Sequence, residues 1–356
     1  MKKYNFYAGP AILAQQVLKQ ASEAVTEFAG MGLSILEISH RSKQFTEVME
    51  EAESRVRSLL NLTDDYAVLF LTGGASSQFY MTAMNLLAQN EKAGYLNTGT
   101  WSVKAIKEAK HFGEIVEVAS SEDKNFSYIP KGYAIDEDLK YLHLTSNNTI
   151  YGTQIHSLPD TDVRLVCDMS SDIFSRPIDI ERYDLIYAGA QKNLGPAGTT
   201  LVIVKKDILG KVNREIPTML DYRTHIKKNS SFNTPPAYPI YVSMLSLRWL
   251  ENNGGIDAIY QKNKAKADLL YSEIDRNPLF YGAVATEDRS MMNVGFLPKD
   301  DTHTKLFIDK AFEAGCVGIA GHRSVGGFRA SIYNAMTIEG VQALVDVMQA
   351  WEKSHG

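Results

Sequence analysis

Cysteine is scarce in this chain of 356 residues, which contains only two. Cys167 and Cys316 lie far apart, so the sequence offers neither a disulfide framework nor the close ligand spacing of a zinc site. A chain of this length buries a substantial hydrophobic core without such cross-links. We therefore expect a globular protein with two to three domains, or one large domain with an appendage.

Long hydrophobic runs are also missing. The longest apolar stretches, such as residues 67–71, have the size of a strand and are too short to cross a bilayer. Lys2 and Lys3 stand near the start, but no apolar segment follows them, as a secretory signal would require. We therefore expect a soluble, cytoplasmic protein that has no membrane partner.

The sequence has no excess of positive charge. Its 37 Lys and Arg residues are outnumbered by 42 Asp and Glu residues, which gives a formal net charge of −5. A nucleic-acid-binding protein needs a basic surface, so this composition argues against nucleic acid as a partner. Any anion that the protein binds must be held by a local cluster of cations.

Helical and strand patterns alternate over most of the chain. Uniformly apolar strands interleaved with amphipathic helices predict a mostly parallel sheet with helices on both faces. Residues 252–255, Asn-Asn-Gly-Gly, interrupt this pattern, and the remainder is typical of a smaller α+β domain. The strands of the predicted sheet lie at 66–71, 95–97, 114–118, 141–144, 164–167, 185–188 and 200–204.

Chemistry in such sheets is expected where the strands end, because ligands bind at their carboxyl ends. After residues 66–71 comes Gly-Gly-Ala-Ser-Ser-Gln at 73–78. Small residues at a strand-to-helix turn let backbone N–H groups approach an anion. The same residues also fit a tight turn with a serine N-cap, and they match neither the Rossmann nor the P-loop spacing.

Two further strand ends carry charged residues. Asp168 ends one buried strand, and Lys192 follows a later strand in a loop of small residues. Each could be an ordinary loop residue. An aspartate followed about two dozen residues later by such a lysine is typical of fold-type I pyridoxal-phosphate enzymes. There the aspartate pairs with the pyridine nitrogen, and the lysine bonds covalently to the cofactor aldehyde.

Motifs from end to end of the chain make a resemblance more specific. The motifs are Asn-Phe-Tyr-Ala-Gly-Pro at 5–10, Ser-His-Arg-Ser at 39–42, residues 73–79, Thr-Gly-Thr-Trp-Ser at 98–102, residues 146–153, Asp-Met-Ser-Ser at 168–171, Ser-Arg-Pro at 175–177, residues 188–193, Asn-Thr-Pro-Pro at 233–236 and residues 321–335. With these motifs the sequence resembles the phosphoserine aminotransferase family, whose members are class V, fold-type I enzymes.

The resemblance implies an α/β fold of type I. It has a large domain with a mostly parallel seven-stranded sheet flanked by helices, and a smaller α+β domain. We accordingly assign residues 16–255 to a large cofactor-binding domain, and residues 1–15 and 256–356 to the small domain. The resemblance also implies pyridoxal 5'-phosphate as the cofactor. It predicts no metal site.

The resemblance further assigns roles around the cofactor. Lys192 would carry the cofactor and move the proton during catalysis, and Asp168 would hold the ring nitrogen protonated. Trp101 would stack on the ring, and Thr149 would bond its phenolic oxygen. The cofactor phosphate would be bound by Ala75, Ser76, Gln191, Asn233 and Thr234, the last two from the partner subunit of a homodimer.

The substrates of this family carry two anionic groups. The resemblance predicts that Arg329 binds the α-carboxylate, because a planar guanidinium suits bidentate contact. The distal anion would be bound by His40, Arg41, His322 and Arg323, in part across the subunit interface. Some family members carry an arginine where this chain has Ser76. If that arginine helps to bind the phosphate, either the other cations suffice here or substrate affinity is altered; we expect the first, because the Ala-Ser version also resembles a family pattern.

The implied activity is reversible transfer of the amino group from L-glutamate to 3-phosphohydroxypyruvate, which yields O-phospho-L-serine and 2-oxoglutarate. The same chemistry could form 4-phosphohydroxythreonine for pyridoxal phosphate biosynthesis. The alternatives are another class V aminotransferase or a desulfurase-like enzyme. A desulfurase needs a mobile, exposed cysteine, and neither cysteine fits. A nicotinamide-dependent oxidoreductase would need a Gly-x-Gly-x-x-Gly turn, which the sequence lacks.

Overall fold

A computed structural model describes residues 2–356 of the chain. A seven-stranded sheet forms the centre of the protein. The strand order is β2-β8-β7-β6-β5-β3-β4, and β8 runs antiparallel to both of its neighbours while the other strands run parallel. The strands are β2 (Tyr66–Leu71), β3 (Lys92–Asn97), β4 (Glu114–Ser120), β5 (Leu142–Thr145), β6 (Leu165–Asp168), β7 (Tyr183–Gly189) and β8 (Thr200–Lys205).

Every residue of β2 and β7 is buried, which is why their sequences are almost uniformly apolar. Helices cover both faces of the sheet and create two hydrophobic clusters, one on each side. The predicted fold class is confirmed, and each of the seven predicted strands is present with ends that differ by up to three residues. The helices are α1 (Gln15–Thr26), α2 (Lys43–Leu60), α3 (Gly74–Leu86), α4 (Thr100–Ala109), α5 (Tyr222–Lys227), α6 (Ala237–Asn252), α7 (Gly255–Arg276), α8 (Thr304–Glu313) and α9 (Ile338–His355).

The start of α3 differs from the serine-capped turn that the sequence allowed. Gly73 occupies the N-cap position with φ of +100°, a region that favours glycine. A β-carbon at this position would collide with the side chain of Ser77. The helix therefore begins at Gly74, and Ala75 and Ser76 lie in its first turn.

A second unit packs around its own hydrophobic cluster, whose buried members come from the range 267–351 together with Phe6. Its antiparallel sheet has the order β12-β10-β9, and a short parallel pair joins β1 to β11. Phe6 is fully buried there, so residues near the start of the chain pack with residues near its end. The division at residues 15 and 255 stays a prediction, which this separation of clusters supports. The strands are β1 (Tyr4–Asn5), β9 (Phe280–Gly282), β10 (Asn293–Pro298), β11 (Cys316–Val317) and β12 (Phe328–Ser331).

Among residues 2–356, no helix has both the length and the hydropathy that are needed to span a membrane.

An aromatic cluster in the smaller unit provides a test of its packing. Phe296 is 1% exposed and contacts the rings of Phe280 and Phe328. We expect Phe296→Ala to lower the free energy of unfolding by about 3–5 kcal/mol, through lost contacts and a residual cavity. Urea titration followed by fluorescence measures the change. Phe312→Ala removes a ring that is 53% exposed, so it should shift the midpoint little; equal shifts would contradict this packing.

Candidate active site

The carboxyl ends of five parallel strands converge at one edge of the sheet. Strand β2 leads into the first turn of α3, β3 leads to Trp101 in α4, and β5 leads to Thr149. Strand β6 ends at Asp168, and β7 leads to Lys192. Residues that are remote in sequence therefore gather here, which is the position that the sequence predicted for the chemistry.

Lys192 is nine-tenths buried at this edge. Its Nζ donates hydrogen bonds to the hydroxyl oxygens of Thr149, at 2.7 Å, and Ser171, at 3.0 Å. Burial lowers the pKa of Lys192 to about 8, although the nearby carboxylates of Asp168 and Asp172 raise it and Arg329 lowers it further. A neutral amine is therefore accessible at mildly alkaline pH.

Asp168 lies at the end of β6 and is buried. Its Oδ1 accepts a hydrogen bond from the backbone N–H of Ser170 at 2.9 Å, and no lysine or arginine among residues 2–356 forms an ion pair with it. Burial raises the pKa of Asp168, against the opposing effect of Lys192. A buried carboxylate without a cation is suited to pair with a protonated ring nitrogen of a ligand.

Trp101 borders the same space. The Nζ of Lys192 lies 6.0 Å from the centre of the indole ring. The indole packs with a small apolar cluster of Phe126, Ile150 and Tyr151, and its Nε1 is buried without a hydrogen-bond acceptor among the described residues. A flat, half-buried ring beside the lysine is suited to stack on a planar ligand.

The first turn of α3 offers backbone donors. The N–H groups of Ala75 and Ser76 have no acceptor within the helix, as is usual for a first turn. The loop that holds Gln191 and Lys192 lies close to Gly9, where an added β-carbon would be 3.5 Å from the Gln191 side chain. The backbone N–H groups of Ala75 and Ser76 can bind a phosphate.

Arg329 reaches the site from the smaller unit. It stands on β12, opposite Gly295, and its Nη1 donates to the carbonyl oxygen of Thr149 at 3.3 Å. Its Nε is buried and has no acceptor within the described residues, so the guanidinium has donors to spare for a ligand. Burial lowers the pKa of Arg329, while the phenol of Tyr333 acts against this.

A cationic loop lies next to Arg329. Burial lowers the pKa of His322, and the positive charges of Arg329, Arg323 and Lys104 lower it further. The His322 Nδ1 is 2.7 Å from the hydroxyl oxygen of Ser324. Val325 of this loop packs on the apolar cluster that includes Trp101. Arg323, Arg329 and Lys104 therefore gather positive charge around His322, within a protein whose net charge is −5.

Four of the predicted site residues lie apart from Lys192 in the single chain. His40 lines a cleft with Met49, Phe70 and Ser230, and the neighbouring Arg41 is exposed. Asn233 and Thr234 are exposed, and Asn233 lines another cleft, of about 140 Å³, together with Gly73 and Ser77. None of the four hydrogen-bonds to the residues around Lys192 within the described part of the chain.

Three residues at the site were not assigned roles by sequence reasoning. Ser171 accepts a hydrogen bond from Lys192, and Asn193 Nδ2 donates to the Ser171 carbonyl oxygen at 2.9 Å. Lys104 lies 4.6 Å above the Trp101 ring. The position of Ser171 three residues after Asp168, in a turn that leaves the same strand, is a signal that could have identified it. An exposed lysine such as Lys104 carries no comparable signal.

Both cysteines are unsuited to nucleophilic chemistry. Cys167 is buried in β6, and burial raises the pKa of its thiol well above the usual range. Burial likewise raises the pKa of Cys316 to about 11. Because the thiolate is the reactive form, these thiols disfavour the desulfurase alternative.

The chain matches the family model described as aminotransferase class-V over residues 3–344. The protein belongs to the class V aminotransferases.

Comparison with individual members of this family is more specific than the family model. The chain is 60% identical to the phosphoserine aminotransferase of Parabacteroides distasonis over 100% of both chains. Among solved structures, the phosphoserine aminotransferase of Bacillus circulans subsp. alkalophilus matches with a TM-score of 0.97 at 45% identity, over 100% of this chain and 99% of that one. A phosphoserine aminotransferase from Trichomonas vaginalis, solved with pyridoxal phosphate bound, matches with a TM-score of 0.94 at 38% identity, over 98% and 100%.

The lowered pKa of Lys192 can be measured directly. Since only the neutral amine is nucleophilic, we expect acetylation of Lys192 in cofactor-free protein to rise with pH and to reach its half-maximal rate near pH 8. Mass spectrometry of the labelled peptide gives the profile. Lys264 is the control, because its exposed ammonium pairs with Asp268, which raises its pKa. If Lys192 followed the pH profile of Lys264, the desolvated site described above would be wrong.

Proposed function

We propose that the protein is a phosphoserine aminotransferase. It transfers the amino group of L-glutamate reversibly to 3-phosphohydroxypyruvate and yields O-phospho-L-serine and 2-oxoglutarate. The observation that carries the proposal is the match to phosphoserine aminotransferases over the full length of both chains, at up to 60% identity. The cofactor is pyridoxal 5'-phosphate, and the reaction belongs to serine biosynthesis.

The polar groups at the site fit this cofactor. Trp101 offers a ring face, Asp168 offers a buried carboxylate without a cation, and the first turn of α3 offers N–H donors for a phosphate. When bound, pyridoxal phosphate supplies an electron-withdrawing ring that stabilises negative charge at the α-carbon of an amino acid. Gln191, Asn233 and Thr234 would complete the phosphate contacts.

Lys192 would act in two ways. Its amine would hold the cofactor covalently in the absence of substrate, and as a free amine it would accept the proton of the substrate α-carbon. Both tasks need a neutral amine, and the pKa of about 8 makes this form available near physiological pH. The hydroxyl groups of Thr149 and Ser171, at 2.7 and 3.0 Å, would aim Nζ at its target.

Asp168 would keep a proton on the ring nitrogen. Burial raises its own pKa, and a cationic ring at hydrogen-bond distance would compensate for this cost by pairing with the ionised carboxylate. The neighbouring N–H of Ser170 fixes one carboxylate oxygen at 2.9 Å, which leaves the other free for the ring.

The substrates carry an anion at each end. Arg329 would bind the α-carboxylate that glutamate and phosphoserine share, in the fork geometry of a guanidinium. His322 and Arg323 would bind the phosphate of one substrate or the γ-carboxylate of the other. Burial and, beyond it, nearby cations keep the pKa of His322 low, so an incoming dianion would favour its protonated form.

We also propose that the active site is completed by a second copy of the chain. His40 and Arg41 would then bind the distal anion of the partner's substrate, and Asn233 and Thr234 would reach the partner's cofactor. Two leucines just before His40 support an interface there, since Leu33 and Leu36 are 46% and 62% exposed in the single chain. Cytoplasmic location and use of the 4-phosphohydroxythreonine precursor remain part of this proposal.

A coupled assay with glutamate as amino donor tests the function. We expect the kcat/KM for 3-phosphohydroxypyruvate to exceed that for pyruvate, oxaloacetate or glyoxylate at least about 100-fold, because substrates without the phosphate leave the cationic cluster unpaired. Lys192→Ala should show no turnover under the same conditions. Equal use of pyruvate would instead identify another class V aminotransferase.

Subunit mixing tests the shared site. Lys192→Ala and Arg41→Met dimers should each be poorly active alone. After dissociation and remixing in equal amounts, about a quarter of the wild-type activity should return, since half of the dimers are mixed and each has one intact site. No recovery after verified exchange of subunits would mean that Arg41 serves the site of its own chain.

A further inference from the structure

Three buried side chains of the Asp, Glu, Lys and Arg types have no ion-pair partner within residues 2–356. The buried aspartates 172, 184 and 288 and the buried glutamate 273 each contact a lysine or arginine. The exceptions are Asp168 and Lys192, which belong to the candidate site, and Lys266 on α7. An unpaired buried charge is costly and is seldom retained for stability alone. Lys266 is therefore a candidate for a role in function.

Lys266 is 1% exposed and bonds only to backbone. Its Nζ donates to the carbonyl oxygens of Ile332, at 2.9 Å, and Tyr333, at 2.7 Å. Burial lowers its pKa to about 7, and Lys262 acts in the same direction. The ammonium loses its hydration shell and gains two hydrogen bonds to residues 332 and 333. We call residues 332–334 the seam segment.

The seam segment follows directly on β12, the strand that carries Arg329. The Ile332 N–H donates to the carbonyl oxygen of Met292 at 2.8 Å, which continues the pairing of β12 with its neighbour. Only Ala330 and Ser331 separate the seam segment from Arg329, so the position of the segment constrains the position of Arg329.

The seam segment also contacts the two other walls of the site. The Tyr333 hydroxyl donates to the carbonyl oxygen of Ala8 at 2.7 Å, next to Gly9, which packs against the Lys192 side chain. The Asn334 N–H donates to the side-chain oxygen of Asn193 at 2.9 Å, one residue after Lys192. Lys266 thus bonds to a segment at which β12, residues 8–9 and the Lys192 loop meet, and Asn263 of the same helix also contacts this segment through Asn334.

We propose that Lys266 is a positioning residue for the aminotransferase reaction, which holds Arg329 in register with Lys192 by anchoring the seam segment. This rests on the proposed function, because the role of Arg329 as the α-carboxylate ligand is part of it. Lys266 itself touches neither substrate nor cofactor.

The proposal predicts a specific kinetic pattern. In Lys266→Met the Ile332 carbonyl oxygen loses its buried donor and the Tyr333 carbonyl oxygen keeps only the Met336 N–H, so we expect the seam segment to shift. We expect the KM values for phosphoserine and glutamate to rise together about tenfold, because both substrates present an α-carboxylate and small misplacements at a site are costly. The kcat should change less, since Lys192 keeps its own hydrogen bonds to Thr149 and Ser171.

The experiment compares steady-state kinetics of the holoenzymes with wild type, Lys266→Met, Arg329→Leu and Lys264→Met. Arg329→Leu should raise both KM values further than Lys266→Met. Lys264→Met is the matched control, because it removes an exposed lysine of the same helix that pairs with Asp268 at the surface. Its KM values should equal those of wild type.

A folded Lys266→Met enzyme with wild-type KM values and only a lower melting temperature would overturn the proposal. If Lys266→Met does not fold, Lys266→Gln replaces it; its shorter amide should reach one carbonyl and raise both KM values about threefold, and unchanged values would be equally decisive. Wild-type enzyme that used glutamate but not phosphoserine would refute the proposed substrate. The glutamate KM of the variants would then still test Lys266.

Discussion

The desolvation of the Lys192 amine is the constraint on which the rest of the site depends. An ammonium in this position loses water and gains only two hydroxyl acceptors, so its pKa falls to about 8. The neighbouring carboxylate of Asp168 limits this fall but cannot cancel it, because Asp168 is itself buried and its pKa is raised. Each group leaves the other incompletely compensated, and a ligand with a cationic ring and an electrophilic carbon would satisfy both. The unfavourable burial of Lys192 and Asp168 thus favours binding of the cofactor.

The sequence predicts the sheet well because its strands are buried on both sides and are therefore apolar throughout. Two kinds of element escape this reasoning. Helix α1 is amphipathic and buries only Val17, Ala21 and Ala24, so it lacks the uniformly apolar pattern that marks the strands. Strand β1 exists because it pairs with β11, more than 300 residues later, and no local pattern records such a partner. Gly73 shows a third limit, since the residue types of the turn did not reveal that the helix begins before the serines.

The candidate site divides along similar lines. Asp168 and Lys192 are recognisable from their positions after strands, whereas the role of Arg329 came from family resemblance and not from spacing. Lys266 could not be found from the sequence, because a buried lysine that bonds to carbonyl groups has the same letter as its exposed neighbours Lys262 and Lys264. His40 and Arg41 present the opposite case. Their residue types fit an anion site, but a single chain gives them no contact with Lys192, and a partner subunit would have to supply the connection.

The pairing of Tyr4 and Asn5 with Cys316 and Val317 has a consequence for how the enzyme matures. The strands of the large sheet are all synthesised by Lys205, long before the ribosome reaches β11. Residues 4–9, which run from that pairing to the wall of the lysine pocket, must wait for their partner. The pocket can therefore acquire this wall only after residues 316–317 have been synthesised, near the end of translation. Each molecule would then be able to bind the cofactor only after nearly all of its chain has been synthesised.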